Sequence, residues 1–391
     1  MSASEVQLLL YDNHYDGSAP LKATDLLYRS ANKLGVPFRS GSLVPASERP
    51  WSAGDREEWL LRTLPSVTAR IVVLLDASDA VLFCDTTELA AKWRMLAGRS
   101  ASGRPRVLIG VEQQMWPEEQ YYITGRQKAE YPRAPMGNFV LRDPSRRSRN
   151  ARGTPFRFIN IGMLAGPPAE VHGLLRCMQE RYPGFPRQCP GGRLANGSYE
   201  WFSNAPHRTR FGIFSGHWGW EQSCFHNYYF EQLHGELPPH CPELALDYGA
   251  DVILNLKKSL DVLVLGWQSD DPRPRLNDTW IPALRDVRPC VLHANSATKA
   301  FMPILQLFWE RAMRIQKRGA DSLPPISEAD VTHAVGPWHE ALVDKAAQPC
   351  HIGALGAGLS MGAAFRACLW PRSSKKGAPA AKARAVRPAS G

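Results

Sequence analysis

Residues 71–83 read Ile-Val-Val-Leu-Leu-Asp-Ala-Ser-Asp-Ala-Val-Leu-Phe. Five aliphatic residues in a row, followed by acids, are typical of a β-strand that is buried on both faces of a sheet. The strand brings two carboxylates, Asp76 and Asp79, to its carboxyl end, and ligand sites of open α/β sheets lie at such ends. The pair indicates either a cation site or an ordinary structural role, such as a helix cap or a solvated turn.

The sequence before this stretch predicts a strand–helix–strand unit. Residues 6–11 are apolar and predict a strand, residues 21–34 repeat apolar side chains at helical spacing up to Gly35, and residues 36–38 predict a second strand. Such a unit favours a parallel sheet. The same patterns later predict helices at 55–64, 87–96, 169–182, 222–233 and 298–317, and strands at 106–111, 156–164, 250–256, 260–265 and 289–293.

Two stretches interrupt this pattern. Residues 117–157 are polar and carry a basic run, which favours a surface insertion. Residues 183–219 are rich in Gly, Pro and Asn, which favours a long irregular loop. We expect Thr86 or Thr87 to cap the predicted helix 87–96, which follows residues 71–83.

Length and composition predict one large α/β domain with a less ordered C-terminal part. The chain has 391 residues, of which 44% are hydrophobic and 21% charged, as in globular proteins. We expect the domain to cover residues 1–320, an extension 321–370, and a basic disordered tail 371–391. The formal net charge is +10, and the tail alone contributes Arg372, Lys375, Lys376, Lys382, Arg384 and Arg387 without an acid. The domain is therefore only mildly basic, so specific nucleic-acid binding is not expected.

The sequence leaves the compartment of the protein open. We expect no secretory signal peptide and no transmembrane span, which favours the cytoplasm by default. The eight cysteines lack zinc-binding spacing, so they are either free core thiols or loop disulfides. Asn196 and Asn277 begin glycosylation sequons, which matter only in the secretory pathway.

A second polar cluster follows a later strand. His293 ends a predicted apolar strand, and the next residues are Ala-Asn-Ser-Ala-Thr-Lys, up to Lys299. Small residues let backbone amides approach a phosphate, a helix that begins near Thr298 presents its N-terminus to an anion, and Lys299 adds a positive charge. Mn²⁺ and Mg²⁺ prefer oxygen ligands, and Mn²⁺ also accepts an imidazole. Asp76, Asp79 and His293 are thus candidate metal ligands beside a candidate diphosphate site, although an isolated histidine of this kind is more often a core residue.

Six segments of the chain carry a recognisable order of motifs. They are Val-Leu-Leu-Asp-Ala-Ser-Asp (73–79), Val-Leu-Ile-Gly-Val-Glu-Gln-Gln-Met-Trp-Pro (107–117), Phe-Ile-Asn-Ile-Gly (158–162), Trp-Glu-Gln (220–222), Leu-Asp-Tyr-Gly-Ala-Asp-Val-Ile-Leu-Asn-Leu (246–256) and Val-Leu-His-Ala-Asn-Ser-Ala-Thr-Lys (291–299). Spread over roughly residues 5–305, this order resembles the N-terminal glycosyltransferase domain of the procollagen lysyl hydroxylase (PLOD) family. The resemblance implies a GT-A (Rossmann-like) α/β fold, with a central, mostly parallel sheet flanked by helices. It also implies transfer of glucose or galactose from a UDP-sugar to a hydroxyl acceptor.

The resemblance implies a role for each matching residue. Asp76, Asp79 and His293 would bind Mn²⁺ or Mg²⁺. The implied donor-binding residues are Ser78, Asn295, Ser296, Lys299 and Arg56. The implied catalytic and acceptor-side residues are Glu221, Gln222, Trp116, Glu112 and Asn160. Among these, Glu221 is the residue that we expect to steer or polarise the reacting hydroxyl.

The chain also departs from the family pattern. Ser78 stands where the family has an aromatic residue, so we expect uracil to stack elsewhere or more weakly. The family's run of several aspartates is reduced to Gly-Trp-Glu at 219–221. By resemblance, the protein would act on a collagen-like peptide in the endoplasmic reticulum or Golgi. Lysine hydroxylation is not expected, because the 391 residues leave no room for the family's hydroxylase domain. Two alternatives stay open: a GT-A transferase that acts on a glycan acceptor, and a nucleotide-sugar-binding pseudoenzyme without transfer activity.

Overall fold

A computed structural model of the chain describes residues 4–12, 26–43, 54–100, 103–112, 156, 158–182, 184–187, 190–193, 199–201, 207–209, 212–214, 220–256, 263–264, 273–276, 287–295 and 302–318. The predicted insertion lies almost entirely outside these ranges, and the predicted C-terminal extension and tail lie wholly outside them. None of the helices in these ranges has both the length and the apolar composition that crossing a membrane requires.

The described residues form strands and α-helices. The strands are β1 (Val6–Tyr11), β2 (Phe38–Gly41), β3 (Ile71–Asp76), β4 (Ala80–Leu82), β5 (Val107–Glu112), β6 (Phe158–Gly166), β7 (Pro190–Arg193), β8 (Tyr199–Trp201), β9 (His207–Thr209), β10 (Gly212–Phe214), β11 (Leu244–Leu246), β12 (Ile253–Asn255), β13 (Leu263–Val264), β14 (Arg275–Leu276) and β15 (Val291–His293). The helices are α1 (Leu26–Lys33), α2 (Asp55–Thr63), α3 (Thr86–Ala97), α4 (Pro168–Arg181), α5 (Trp220–Leu233) and α6 (Met302–Arg318).

The central sheet contains six of these strands, in the order β11-β5-β6-β3-β1-β2. Strand β6 runs antiparallel to both of its neighbours, and the other strands of the sheet all point the same way. Parallel neighbours in this sheet are connected through helices, as the strand–helix–strand pattern of the first residues predicts.

Helices cover both faces of the central sheet. Successive side chains of a strand point to opposite faces, so each strand contributes to two apolar cores. Leu9 of β1 and Leu74 of β3 pack in one apolar core with side chains of α2, α4 and α5. Leu8 of β1 and Val73 of β3 pack in a second core with side chains of α1 and α3. A strand covered on both sides needs apolar residues at every position, which explains the unbroken aliphatic run of β3. The prediction of an α/β fold with a mostly parallel sheet flanked by helices is confirmed.

A second sheet, in the order β12-β15-β4, leads to the candidate site. Strand β4 runs antiparallel to β15, which places His293 opposite Ala80. Strand β12 runs parallel to β15, which places Asn255 beside His293. Beyond the ladder, the backbone amide of Ala294 donates a hydrogen bond to the carbonyl of Asp79 at 2.7 Å. Residues that are distant in sequence therefore meet at one end of this sheet.

Disulfide bonds reinforce both the small sheet and the helical layer. Cys84, shortly after β4, is bonded to Cys290, directly before β15, across a sequence separation of 206 residues. Cys177 of α4 is bonded to Cys241 across a separation of 64 residues. All the cysteines that the structure describes are disulfide-bonded, so for these residues the free-thiol alternative is wrong.

The predicted cap of α3 is wrong. Asp85, rather than Thr86 or Thr87, precedes the first helical residue in an extended conformation. Its carboxylate accepts a hydrogen bond from the backbone N–H of Glu88 at 2.9 Å. Aspartate is among the residues that fill this position best, because its side chain satisfies an amide that has no partner within the helix.

Other differences concern short elements and boundaries. The predicted irregular stretch 183–219 contains the strands β7 to β10, which are too short to show an alternating pattern. The edge strand β11 was not predicted for the same reason. Strand β2 covers Phe38–Gly41 rather than 36–38. Helix α6 is described over Met302–Arg318, and its predicted start near Thr298 lies outside the described residues. Boundaries of this kind depend on tertiary pairing more than on local sequence.

We expect the Cys84–Cys290 and Cys177–Cys241 bonds to contribute unequally to stability. In the chain-entropy account, a cross-link that closes a longer loop removes more freedom from the unfolded chain. The double variant Cys84→Ser/Cys290→Ser should therefore lose about 1 kcal/mol more unfolding free energy than Cys177→Ser/Cys241→Ser. Urea unfolding followed by circular dichroism measures both losses. A larger loss for the second variant would contradict this account.

Candidate metal-binding site

Three side chains that suit a metal ion meet at the carboxyl end of β3. Asp76 is the last residue of β3, Asp79 lies in the turn before β4, and His293 is the last residue of β15. Nε2 of His293 lies 3.3 Å from Oδ1 of Asp79 and 3.6 Å from Oδ2 of Asp76. One ligand atom from each residue fits within a group whose members are all within 4.8 Å of one another. The structure thus brings together the three residues that the sequence predicted as metal ligands.

The cluster is accessible from one side. Asp79 and His293 are buried, whereas the side chain of Asp76 is 35% exposed. Two carboxylates close to an imidazole form a donor set that suits Mn²⁺, and carboxylates removed from water need a compensating positive charge. The residues present therefore fit a divalent cation.

Asn255 determines which nitrogen of His293 faces the carboxylates. Nδ2 of Asn255 donates a hydrogen bond to the carbonyl of Val111 at 2.8 Å, so its Oδ1 is the atom that faces His293. This Oδ1 lies 2.6 Å from Nδ1 of His293, and we assign the proton of the neutral imidazole to Nδ1. The lone pair of Nε2 is then on the side of Asp76 and Asp79, as metal ligation by histidine requires.

A glycine makes room for this imidazole. A Cβ atom at Gly162 of β6 would lie only 2.6 Å from Nδ1 of His293, so a side chain there would displace the ring. The backbone N–H of Gly162 also donates a hydrogen bond to Oδ1 of Asn160 at 2.9 Å. The backbone of β6 therefore lies against the imidazole of His293. Asn160, a residue of the same strand, accepts a hydrogen bond from that backbone.

An ion-pair network holds Asp76 from the side of α2. Nη1 of Arg56 donates to Oδ1 of Asp76 at 3.0 Å, and Nε and Nη2 of Arg56 donate to Oε1 of Glu57 at 3.0 and 2.6 Å. Burial lowers the pKa of Arg56, but the carboxylates of Glu57, Asp76 and Glu221 outweigh burial and raise this pKa above its ordinary value. Arg56 is therefore a permanent cation behind Asp76.

Glu221 interacts electrostatically with the same network from the first turn of α5. Burial, followed by the negative charge of Glu57, raises the pKa of Glu221 to about 8, although Arg56 acts in the opposite direction. At neutral pH this side chain is mostly protonated. It can then donate a hydrogen bond, and it becomes a proton acceptor only at higher pH.

A hydrogen-bonded group of polar side chains continues from the cluster. Nε2 of Gln222 donates to Oε1 of Glu112 at 3.3 Å and to the carbonyl of Ile159 at 2.8 Å. Nδ2 of Asn295 donates to Oε2 of Glu112 at 3.2 Å. Because Asn295 follows His293 by two residues, this group is adjacent to the candidate ligands. A carboxylate and carboxamides are the groups that bind sugar hydroxyls through hydrogen bonds.

The other predicted residues divide into two sets. Ser78 lies in the turn between the two aspartates and is exposed to solvent. Trp116, Ser296 and Lys299 lie outside the described residues.

Two residues of the site were not assigned to it from the sequence. Asn255 had a usable signal, because it ends a short apolar run as His293 does, and adjacent parallel strands bring such ends together. Glu57 had no such signal, since an acid in the first turn of a helix is common for its favourable interaction with the helix dipole.

Fold and site together define an α/β protein with a candidate divalent-cation site at the carboxyl ends of its strands. No protein-family model matches the chain, and no match was found among curated proteins. Any assignment of function therefore depends on the chemistry of the site.

Removing the carboxamide of Asn255 should weaken metal binding. In Asn255→Ala, the proton on Nδ1 of His293 is no longer held in place, and partners of this type are worth about 10- to 100-fold in metal affinity. Electron paramagnetic resonance of free Mn²⁺ measures the dissociation constant directly. Unchanged affinity would contradict the assigned role of Asn255.

A matched control is Asp247→Asn, because Asp247 supports the same strand without contacting His293. Its carboxylate accepts hydrogen bonds, each 2.9 Å long, from the backbone amides of Asp251, Val252 and Ile253. This variant should lose stability while keeping the Mn²⁺ affinity of the unmodified protein.

Glu221 should make stability depend on pH. Its pKa is about 8 in the folded protein against an ordinary value of 4.5, so the folded state binds a proton more tightly than the unfolded chain does. The resulting stabilisation is complete below pH 4.5, the ordinary pKa, and is lost as the pH rises through about 8, the pKa in the folded protein. The melting temperature of the unmodified protein relative to Glu221→Gln should therefore fall between about pH 5 and pH 8 in the presence of a chelator. A constant difference would contradict the shift.

Proposed function

We propose that this protein is a metal-dependent glycosyltransferase of GT-A type, which transfers glucose or galactose from a UDP-sugar to a hydroxyl acceptor. The observation that carries the proposal is the cluster of Asp76, Asp79 and His293, in which Asn255 leaves Nε2 of the histidine available as a ligand. The position of this cluster at the carboxyl ends of the strands supports the proposal. So does the order of motifs, which resembles the glycosyltransferase domain of the procollagen lysyl hydroxylases.

In this proposal, Asp76, Asp79 and His293 hold Mn²⁺ or Mg²⁺. The cation supplies positive charge that stabilises the diphosphate as it departs. Ser78 and Asn295 lie near the ligands in the chain and contact the donor, together with Ser296 and Lys299. This arrangement lets the protein bind an anionic donor although Asp76 and Asp79 are themselves negative.

The sugar and the acceptor are assigned to the adjacent polar group. The carboxylate of Glu112 accepts hydrogen bonds from hydroxyl groups, and the carboxamide of Gln222 donates and accepts them. Asn160 and Trp116 line the same side of the proposed site. Glu221, protonated at neutral pH, orients a hydroxyl by donating a hydrogen bond to it. An ionised Glu221 would instead repel the diphosphate of the donor.

The disulfides support a location in an oxidising compartment. Cys84–Cys290 and Cys177–Cys241 are of a kind that persists in the secretory pathway and is rare in the cytosol. We therefore favour the endoplasmic reticulum or Golgi, where a collagen-like peptide or a glycan is available as the acceptor.

Binding of UDP should depend on a cation and on Asp79. Calorimetric titration of UDP with and without Mn²⁺ should show an increase in affinity of at least about tenfold with the cation, because the ion bridges carboxylates and phosphates. In Asp79→Ala this increase should disappear. In the control Asp85→Ala, which removes the cap of α3 and no candidate ligand, it should remain. Metal-independent binding that Asp79→Ala leaves unchanged would contradict the metal assignment.

Incubation with labelled UDP-glucose and UDP-galactose separates transfer from binding. Hydrolysis or transfer of one sugar that Asp79→Ala abolishes would support the transferase and identify its donor. Complete inactivity with retained Mn²⁺-dependent UDP binding would instead favour the nucleotide-sugar-binding pseudoenzyme.

A further inference from the structure

The two oxygens of Asp76 have different neighbours. Oδ1 accepts a hydrogen bond from Nη1 of Arg56 at 3.0 Å. Oδ2 is the oxygen that faces His293, at 3.6 Å from Nε2. A carboxylate can bind a cation through one oxygen or through both. With Oδ1 held by a guanidinium, Oδ2 is the oxygen that remains available to a cation.

Arg56 is held firmly in this position. Its side chain is 9% exposed, and two of its nitrogens are bonded to Glu57, which is buried. If the guanidinium turned away from Asp76, the buried carboxylate of Glu57 would be left poorly paired, which is strongly unfavourable. The first turn of α2 is fixed as well, because Arg187 forms ion pairs with Asp55 at 3.2 Å and Glu58 at 2.8 Å.

Arg56 affects the site through geometry more than through net charge. The positive charge of Arg56 is balanced by the negative charge of Glu57, its closest ion-pair partner. Asp76 and Asp79 together therefore keep two negative charges, which match one divalent cation. What Arg56 adds is the orientation of the Asp76 carboxylate.

We propose that Arg56 is a positioning residue that sets the metal selectivity of the site by restricting Asp76 to coordination through a single oxygen. Ca²⁺ takes more ligands at longer distances and often uses both oxygens of a carboxylate, whereas Mg²⁺ requires a compact octahedral arrangement, which Mn²⁺ also adopts. A site in which Asp76 offers one oxygen therefore favours Mn²⁺ or Mg²⁺ over Ca²⁺. This inference rests on the proposed metal site and identifies the ion that it selects.

The test compares Ca²⁺ and Mn²⁺ binding when Oδ1 of Asp76 is released. The double variant Arg56→Met/Glu57→Gln removes the guanidinium without leaving a buried carboxylate unpaired. Electron paramagnetic resonance reports bound Mn²⁺, and its displacement by Ca²⁺ gives the ratio of the two dissociation constants. Release of Oδ1 should lower the preference for Mn²⁺ over Ca²⁺ by at least about tenfold, the scale on which outer-shell partners act. Activity is not needed for this measurement.

Two further variants make the result interpretable. Arg187→Met removes ion pairs from the same turn of α2 without touching Asp76, and it should leave the preference unchanged. Arg56→Gln/Glu57→Gln, which replaces the buried ion pair with two neutral amides, should lower the preference in the same direction as Arg56→Met/Glu57→Gln. It also provides the test if Arg56→Met/Glu57→Gln does not fold, as judged by circular dichroism.

The outcomes separate this inference from the proposed function. An unchanged preference in both Arg56 variants, or an equal fall in Arg187→Met, would overturn the role of Arg56. Failure of the unmodified protein to bind Mn²⁺, alone or with UDP, would instead overturn the proposed metal site.

Discussion

The candidate site depends on the antiparallel pairing of β4 with β15. This short ladder places His293 opposite Ala80 and leaves the amide of Ala294 bonded to the carbonyl of Asp79. The pairing closes a long loop, since Cys84 beside β4 and Cys290 beside β15 are 206 residues apart in sequence. Closing this loop costs conformational entropy that a ladder of a few residues does not recover by itself. The Cys84–Cys290 disulfide at the other end of the ladder offsets that cost and excludes a slip in register. A slip by one residue would turn the imidazole to the opposite face of the sheet.

The polar groups of the site share a position in the fold. Asp76, Glu112, Asn255 and His293 are the last residues of β3, β5, β12 and β15. A strand buried on both faces does not accommodate a charge in its middle, so the polar residue stands where the strand leaves the core. Hydrogen bonds among these ends then compensate for burial, as the contact between Asn255 and His293 does. The ends of strands from both sheets therefore form one hydrogen-bonded polar group.

This arrangement explains how far the sequence could lead. The aliphatic run of β3 predicted a doubly covered strand because its composition alone requires two buried faces. Asp76, Asp79 and His293 were predicted to meet, and they do, whereas metal binding and sugar transfer stay predictions. Short strands such as β11 were not predicted, since three residues show no periodicity. The pairing of Arg56 with Asp76 was not predicted either. A guanidinium can bind a ligand or a carboxylate of the protein, and only tertiary contacts decide between them.

The balance of charge at the site connects its stability with the ligand proposed for it. Arg56 and Glu57 compensate each other, and Glu221 is mostly neutral at neutral pH, which leaves Asp76 and Asp79 as a charge that one divalent cation balances. An anionic ligand would meet strong repulsion if Glu221 were ionised as well. If the site binds an anion as proposed, the protonated form of Glu221 favours that binding, and stability is lost when the pH rises through the pKa of Glu221. In the proposed glycosyltransferase, a neutral Glu221 would lie next to the cation and the diphosphate of the donor without repelling that diphosphate.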